Sequence, residues 1–383
     1  MRIAVNTRLL LKNKLDGIGW FTAETTKRIV LDHPEHEFYF FFDRSYDPDF
    51  VYADNVHPVV LCPQARHPVL WYLFFEVSVR RALEKYKIDL FLSPEGYMSL
   101  GSKVPTLMVI HDINFEHGSN YLKKSHQKYM TYFSPQYARY STRIATVSEF
   151  SKQDIVDTYH IEPEKIDVVY DGAHSDYRPI DPELKQRTRN EFTQGSRYFI
   201  FISTIIKRKN LATLLTAFDL FKQNDTGGMK LVVVGQRVWW QDELKDAYNR
   251  MEHKEDVIFI GRAESETLAR LLGSAEALVY PSLFEGFGIP IIEAFQAEVP
   301  VITSNCTSMP EVAGEAALLV NPTDSRSMSE ALGKIVNDPT LSFDLVQKGR
   351  ERRMCFSWEK TSSRLWDSMM KTIGEKTDER REI

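Results

Sequence analysis

Short apolar runs alternate with amphipathic helical patterns along most of this chain. In the first half the runs are RIAVN (2–6), EFYFFF (37–42), HPVVL (57–61), LFLS (90–93), TLMVI (106–110), RIATVS (143–148) and IDVVY (166–170). Helical periodicity falls between several of them, near 18–31, 69–86, 121–140 and 149–159. Apolar runs bounded by turn residues and separated by helices predict parallel strands with crossover helices.

The pattern breaks over 172–197, a polar stretch with two prolines that reads as a linker plus a short helix. A second alternation follows. Its strands are YFIFIS (198–203), KLVVVG (230–235), VIFIG (257–261), ALVYP (277–281), VPVITS (299–304) and ALLVN (317–321), with helices near 210–223, 240–252, 264–274, 289–297 and 324–337. The stretch 340–376 is helical by pattern and adds no strand, and the charged tail EKTDERREI reads as frayed. The expected fold is therefore α/β, with two doubly wound domains and a ligand cleft between the carboxyl ends of their strands.

Composition narrows the class. A chain of 383 residues with 43% hydrophobic residues can bury two cores. A net charge of −5 argues against general nucleic-acid binding. Three widely spaced cysteines, Cys62, Cys306 and Cys355, fit a reducing compartment and offer neither a disulfide framework nor a CxxC metal site. MRIAVN enters a strand at once, so no signal peptide is expected, and no apolar run approaches the roughly 20 residues of a membrane span. The expected location is cytoplasmic.

The chemistry concentrates in four places. FEGFGIPIIEAF (284–295) follows the strand ALVYP, so Glu285, Gly286, Phe287 and Gly288 form a loop at a strand's carboxyl end, with Glu285 expected at the cleft mouth. Glycines let backbone approach a ligand, Pro290 suits a first helical turn, and Glu293 lies about one turn further on. Carboxylates accept paired hydrogen bonds from vicinal hydroxyls; macrodipole compensation is the plainer explanation of acids there. KRKN (207–210) stacks Lys207, Arg208 and Lys209 against a helix start, with Asn210 as expected N-cap. Cations there oppose the helix dipole, and a bound phosphate would relieve this; a solvated basic turn is the alternative. DGIGWF (16–21) places Gly17 and Gly19 between the first strand and the first helix, yet it is not G-x-G-x-x-G, so a nicotinamide site is poorly supported. VIHD (109–112) sets His111 and Asp112 at a strand end, where a lone histidine is usually structural.

Together these fragments resemble the family 4 retaining glycosyltransferases of the GT-B fold, over nearly the whole chain. The most specific part is E-x7-E at Glu285 and Glu293 with GFGIP inside. The resemblance implies transfer of a sugar from a nucleotide diphosphate sugar, a co-substrate rather than a cofactor, to a hydroxyl of a saccharide or lipid-linked saccharide, with the anomeric configuration retained. It implies cell-surface polysaccharide or glycolipid assembly. By the same resemblance Glu285 contacts the donor sugar and Glu293 the ribose. The backbone of Phe287, Gly288 and Ile289 meets sugar and diphosphate, Arg208 and Lys209 meet the diphosphate, and Ile260 and Arg262 border the base. Gly17 and Gly19 match the N-terminal glycine loop, His111 with Asp112 matches the HD pair, and Ser148 faces the cleft. Glu285, His111, Arg208 and Lys209 are the residues expected to act in catalysis.

The implied division is an acceptor-side domain over 1–175, a nucleotide-sugar domain over 176–357, and a last helix (about 358–376, with Trp358 and Trp366) packing back on the first domain. One departure stands out. Many members carry Gly-Arg after the first strand of the second domain, where this chain has Ser203-Thr204. One expected diphosphate cation is then missing, and Arg208 is the residue that would compensate.

Two alternatives stay open on the residues alone: a non-catalytic nucleotide-sugar-binding protein, and a nucleotide-sugar epimerase of similar shape. No metal is expected. The acid pair Asp47-Pro48-Asp49 lies in the first half and reads as a turn. In 67–83 the aromatics, with Arg66, Arg80 and Arg81, would suit peripheral contact with a membrane or lipid-linked acceptor; a buried helix with snorkelling arginines is the preferred reading.

Overall fold

Runs such as LFLS, TLMVI and YFIFI have every residue buried. That burial on both faces is what parallel strands covered by crossover helices require. The computed structural model describes residues 1–118, 123–236, 238 and 242–379. The chain divides into two units: Met1–Gly172 together with the segment that begins at Trp358, and Ala173–Ser357.

In the first unit the strands are β1 (Arg2–Asn6), β2 (Glu37–Phe42), β3 (Val56–Val60), β4 (Leu90–Ser93), β5 (Thr106–Ile110), β6 (Arg143–Thr146) and β7 (Ile166–Val168). Among the described residues they form one parallel sheet in the order β3-β2-β1-β4-β5-β6-β7. The order reverses at β1, where Val5 lies opposite Phe40 on one side and Leu92 on the other. The helix Trp358–Glu379 packs on the helix Gly17–Asp32. Trp366 stacks on His33 at 3.6 Å between ring centroids, and Arg28 reaches Glu359 at 2.8 Å. Gly172 has to be glycine for a packing reason, since a Cβ there would stand 2.4 Å from the Trp358 nitrogen.

The second unit contains β8 (Tyr198–Ile202), β9 (Lys230–Val234), β10 (Val257–Gly261), β11 (Ala277–Tyr280), β12 (Val301–Ser304) and β13 (Ala317–Val320). They form a parallel sheet in the order β10-β9-β8-β11-β12-β13, which reverses at β8. Two doubly wound α/β units thus confirm the expected fold class.

The differences from the sequence reading are local. The apolar stretch near 69–86 is helical but not uniform: Pro68–Leu73 and Arg80–Lys85 are α-helical, and Phe74–Val79 between them is a π-turn. Glu76 in that turn accepts from the amides of Leu100 (2.6 Å) and Gly101 (3.1 Å) and from the Ser99 hydroxyl. The polar linker holds a helix, Pro182–Thr193, started by the Asp181 side chain on the Leu184 amide and ended by left-handed Gln194. The stretch 340–376 is two helices, Pro339–Arg352 and Trp358–Glu379, separated by a short 3-10 turn, Arg353–Cys355. A five-residue helix, Met309–Ala313, carried too little periodicity to be read. The first residues of the helices expected from 121 and 240, and the last four residues of the tail, lie outside the described residues.

Candidate functional site

In an open α/β sheet, ligands bind where the strand order reverses, beyond the carboxyl ends of the strands. In the second unit that place lies between the loops after β8 and β11, which hold the two strongest sequence motifs. After β8 the chain passes Ser203-Thr204, makes a 3-10 turn at Lys207–Lys209, and enters the helix Leu211–Lys222. After β11 it runs through 281–288 into the helix Ile289–Gln296. The Leu283 amide donates to the Arg208 carbonyl at 2.8 Å and locks the two loops together.

The fold brings KRKN onto the first glutamate of E-x7-E. Arg208 Nη1 stands 2.7 Å from Glu285 Oε2, and Lys209 Nζ stands 2.5 Å from Glu285 Oε1. Arg208 also donates to the Phe284 carbonyl. Burial on its own would raise the Glu285 carboxyl; Arg208 and then Lys209 outweigh burial and push it down to about 2. Glu285 is only 6% exposed, so it does not lie at an open mouth as expected. The loop closes around it because Ser308 Oγ donates to the carbonyls of Glu285 and Phe287, both at 2.9 Å.

Tyr280, which the sequence reading did not single out, completes the cluster. It is the last residue of β11, and its hydroxyl accepts from Lys209 Nζ at 2.8 Å and donates to Glu285 Oε1 at 2.9 Å. The ALVYP run gave no sign of this, because an aromatic at a strand end is normally core.

Asn210 behaves differently from the expected N-cap. Its backbone is left-handed (φ 61°, ψ 33°), which turns the side chain away from the helix amides. The amide instead donates to the carbonyls of Pro281 (3.0 Å) and Pro322 (2.6 Å), and its oxygen accepts from the Thr213 hydroxyl at 2.7 Å. It therefore staples the loops after β8, β11 and β13.

The helix Ile289–Gln296 starts as the glycine segment suggested. Gly288 has φ 105° at the N-cap, Pro290 sits in the first turn, and no side chain caps that end. Phe287 is buried, edge-on to Phe356 at 5.4 Å. Glu293 lies on this helix, half-buried, with Tyr177 as its hydrogen-bond partner. Burial pushes its carboxyl up to about 8, and the Tyr177 hydrogen bond opposes that only partly. The two glutamates of one motif are thus driven in opposite directions: Glu285 is held ionised, and Glu293 keeps its proton at neutral pH.

Ile260 and Arg262 fall at the carboxyl end of edge strand β10, where the register with β9 slips between Phe259 and Gly261. Such a bulge re-aims the residue it contains, here Ile260. Thr204 is exposed at the end of β8. Gly235 opposite admits no side chain, since a Cβ would meet the Ser203 carbonyl at 1.8 Å.

The first unit has its own reversal point at β1. Gly17 and Gly19 are not an open loop as expected but the first turn of the helix Gly17–Asp32, and the Gly19 amide is taken by the Asp16 side chain at 3.0 Å. His111, after β5, has Nε2 2.9 Å from the Pro94 carbonyl, so Nε2 carries the proton and Nδ1 is left as an acceptor. Burial lowers its pKa despite that hydrogen bond and the nearby Asp112. Asp112 accepts from the Asn114 amide in a local turn. Ser148 is a fully buried N-cap that accepts from the Ser151 amide, and so does not face outward. A buried ion pair escaped the sequence reading: Arg8 Nε donates to Glu95 Oε1 at 2.7 Å, and Asn6 Nδ2 donates to the same oxygen at 2.5 Å. It joins the ends of β1 and β4, and nothing in its local sequence marks it. Asp47 caps a short 3-10 turn, and Lys12 bridges Asp47 (3.1 Å) and Asp49 (2.8 Å).

Two family models match this chain: Glycosyltransferase Family 4 over residues 17–177, and Glycosyl transferases group 1 over residues 183–352. The chain belongs to the family 4 glycosyltransferases. Among curated proteins it is 29% identical to O-antigen chain mannosyltransferase B of Escherichia coli, over 91% of this chain and 94% of that one. Among solved structures it matches the sucrose-phosphate synthase of Thermosynechococcus elongatus with a TM-score of 0.78 at 16% identity, covering 98% and 99% of the two chains. It matches Anabaena HepE, crystallised with UDP-glucose, with a TM-score of 0.75 at 14% identity over 97% and 100%. The activity is glycosyl transfer on the GT-B fold; the binding-protein and epimerase alternatives gain no support. Among the described residues no helix is long and apolar enough to cross a membrane.

Proposed function

We propose that the protein transfers a hexosyl group, with retained configuration, from a nucleoside diphosphate sugar to a hydroxyl of a growing cell-surface saccharide. The mannosyl transfer named for the E. coli relative makes mannose the first sugar to test. The observation that carries the reading is Glu285 held between Arg208 and Lys209 at the reversal point of the second sheet. The two cations meet the diphosphate, together with the uncapped helix start at Ile289. Glu285 accepts from sugar hydroxyls, Glu293 from the ribose, and Ile260 and Arg262 border the base. His111 offers Nδ1 to a substrate hydroxyl. In the transfer step the bond from the anomeric carbon to the leaving phosphate oxygen breaks. The acceptor oxygen bonds that carbon, and its proton passes to the leaving phosphate. Peripheral contact with lipid falls to the exposed Val69, Tyr72 and Leu73 beside Arg66.

The test is incubation with GDP-mannose, UDP-glucose and other nucleoside diphosphate hexoses in the presence of a saccharide acceptor. The product linkage is then read by the coupling of its anomeric proton. Product with the donor's configuration is expected. An inverted product would overturn retention, and an isomerised free donor would overturn transfer.

A further inference from the structure

A buried tyrosine hydroxyl is costly unless it is hydrogen-bonded, and the Tyr280 hydroxyl, on a residue 2% exposed, makes two hydrogen bonds inside the charged cluster. Directionality fixes how. An ammonium can only donate, so the phenol oxygen accepts from Lys209; a carboxylate can only accept, so the phenol proton points to Glu285 Oε1. Lys209 also lies 5.1 Å from the centre of the Tyr280 ring. The backbone holds the ring in place. Tyr280 ends β11, Thr303 of the neighbouring strand donates to its carbonyl at 2.9 Å, and the ring edge lies beside Gly288.

Glu285 is hydrogen-bonded from three sides: Arg208 on Oε2, and Lys209 and Tyr280 on Oε1. The diphosphate must draw on the same two cations. As they turn to it, Glu285 loses charge partners in a buried place while it has to present lone pairs to sugar hydroxyls. Arg208 and Lys209 are long side chains with several rotatable bonds, whereas the Tyr280 hydroxyl is carried by a rigid ring at the end of a strand.

We propose that Tyr280 is a positioning residue for glycosyl transfer: its fixed hydroxyl keeps Glu285 oriented toward the sugar when Arg208 and Lys209 move to the diphosphate. The inference rests on the roles proposed above for Glu285 and the two cations.

The experiment compares Tyr280→Phe with Tyr198→Phe. Tyr198 lies in the adjacent strand and is equally buried, but its hydroxyl donates to the Leu271 carbonyl at 2.6 Å, away from the site. Both variants lose a buried hydroxyl bond, so both should lose thermal stability. With the nucleoside diphosphate hexose that the wild type turns over, Tyr280→Phe should lower kcat by about tenfold or more, the effect of losing a hydrogen bond to a charged group, with KM changed by less than about threefold. Affinity for GDP or UDP alone, by calorimetry, should hold within about twofold, because the cations remain. The acid limb of kcat should move to higher pH, because Glu285 loses a donor that favours its ionised form. Tyr198→Phe should leave kcat and the limb in place. Tyr280→Phe with wild-type kcat and pH profile, or with a loss matched by Tyr198→Phe, would overturn the proposal. Glu285→Gln and Lys209→Ala separate the two levels: if both stay fully active the underlying site assignment fails, and if both are crippled while Tyr280→Phe is not, only the Tyr280 assignment fails.

Discussion

Replacing Glu293 by glutamine should stabilise the protein at neutral pH and weaken nucleotide binding in the same variant. The folded state holds the Glu293 carboxyl at about 8, against its ordinary 4.5. The sign follows directly. A group whose pKa is raised on folding contributes stability that is fully present below the unfolded value and is lost as pH rises through the folded value. For Glu293 that window runs from about 4.5 to about 8. At pH 7 the unfolded chain has released the proton and the folded one has not. The difference is about 1.4 kcal/mol per pH unit over two and a half units, roughly 3 kcal/mol. At pH 5 it is under about 1 kcal/mol. Glutamine keeps an oxygen for the Tyr177 hydroxyl and carries no proton to hold. The Glu293→Gln variant should therefore gain about 3 kcal/mol over wild type at pH 7 and much less at pH 5. Urea unfolding of both proteins at the two pH values measures this. If the carboxylate takes the ribose diol, calorimetry should also show weaker GDP and UDP binding in the variant, and wild-type binding that tightens as pH rises toward 8. A stability gain of the same size at both pH values would refute the linkage. Unchanged nucleotide affinity would remove Glu293 from the ribose and leave it a half-buried acid with Tyr177 as its partner.

Asp171 makes a matching case in the first unit: burial pushes it up to about 8, and its Oδ1 has no hydrogen-bond partner among the described residues, so Asp171→Asn should also stabilise more at pH 7 than at pH 5. Lys209→Ala should weaken nucleoside diphosphate binding by about ten- to a hundredfold and lower turnover, with a folded circular dichroism spectrum; unchanged affinity would remove it from the diphosphate. Transfer should survive excess chelator, and Asp47→Ala with Asp49→Ala should leave turnover within about twofold, because that pair is engaged by Lys12 at a short turn of the first unit. Activity abolished by chelator and restored by magnesium or manganese would overturn this.

What the sequence made legible follows the physics of short range. The central strands of both sheets could be read because the fold buries both of their faces, as in TLMVI and YFIFI; the edge strands, only partly buried, could be read from short apolar runs bounded by turn residues. The start of the helix at Ile289 could be read because Gly288 must take a positive φ and Pro290 tolerates only a first turn there. Where a side chain's direction depends on backbone conformation, reading failed. Asn210 has the right identity and position for a cap, but its left-handed backbone sends the amide to Pro281 and Pro322. Gly17 and Gly19 look like a phosphate loop, yet Asp16 one residue earlier starts the helix and takes the Gly19 amide.

The pairing of Glu285 with Arg208 and Lys209 was illegible for a different reason, and it changes how the site works. On the sequence, three cations at a helix start stand as an electrostatic conflict that calls for an outside anion. The fold answers it with an inside one, a carboxylate more than seventy residues further along the chain that no local pattern connects to KRKN. The cluster is therefore not a bare positive socket. Glu285, held near 2, stays ionised through the physiological range, so the three side chains together carry a single positive charge. On the roles proposed for Arg208 and Lys209, a diphosphate has to displace that carboxylate from its cations. A nucleoside diphosphate alone leaves Glu285 with fewer donors, and a nucleoside diphosphate sugar supplies hydroxyls to replace them. The proposed recognition of the sugar is in this way tied to the proposed recognition of the leaving group. On that proposal Glu285 turns to the sugar only when Arg208 and Lys209 are engaged with the departing phosphate.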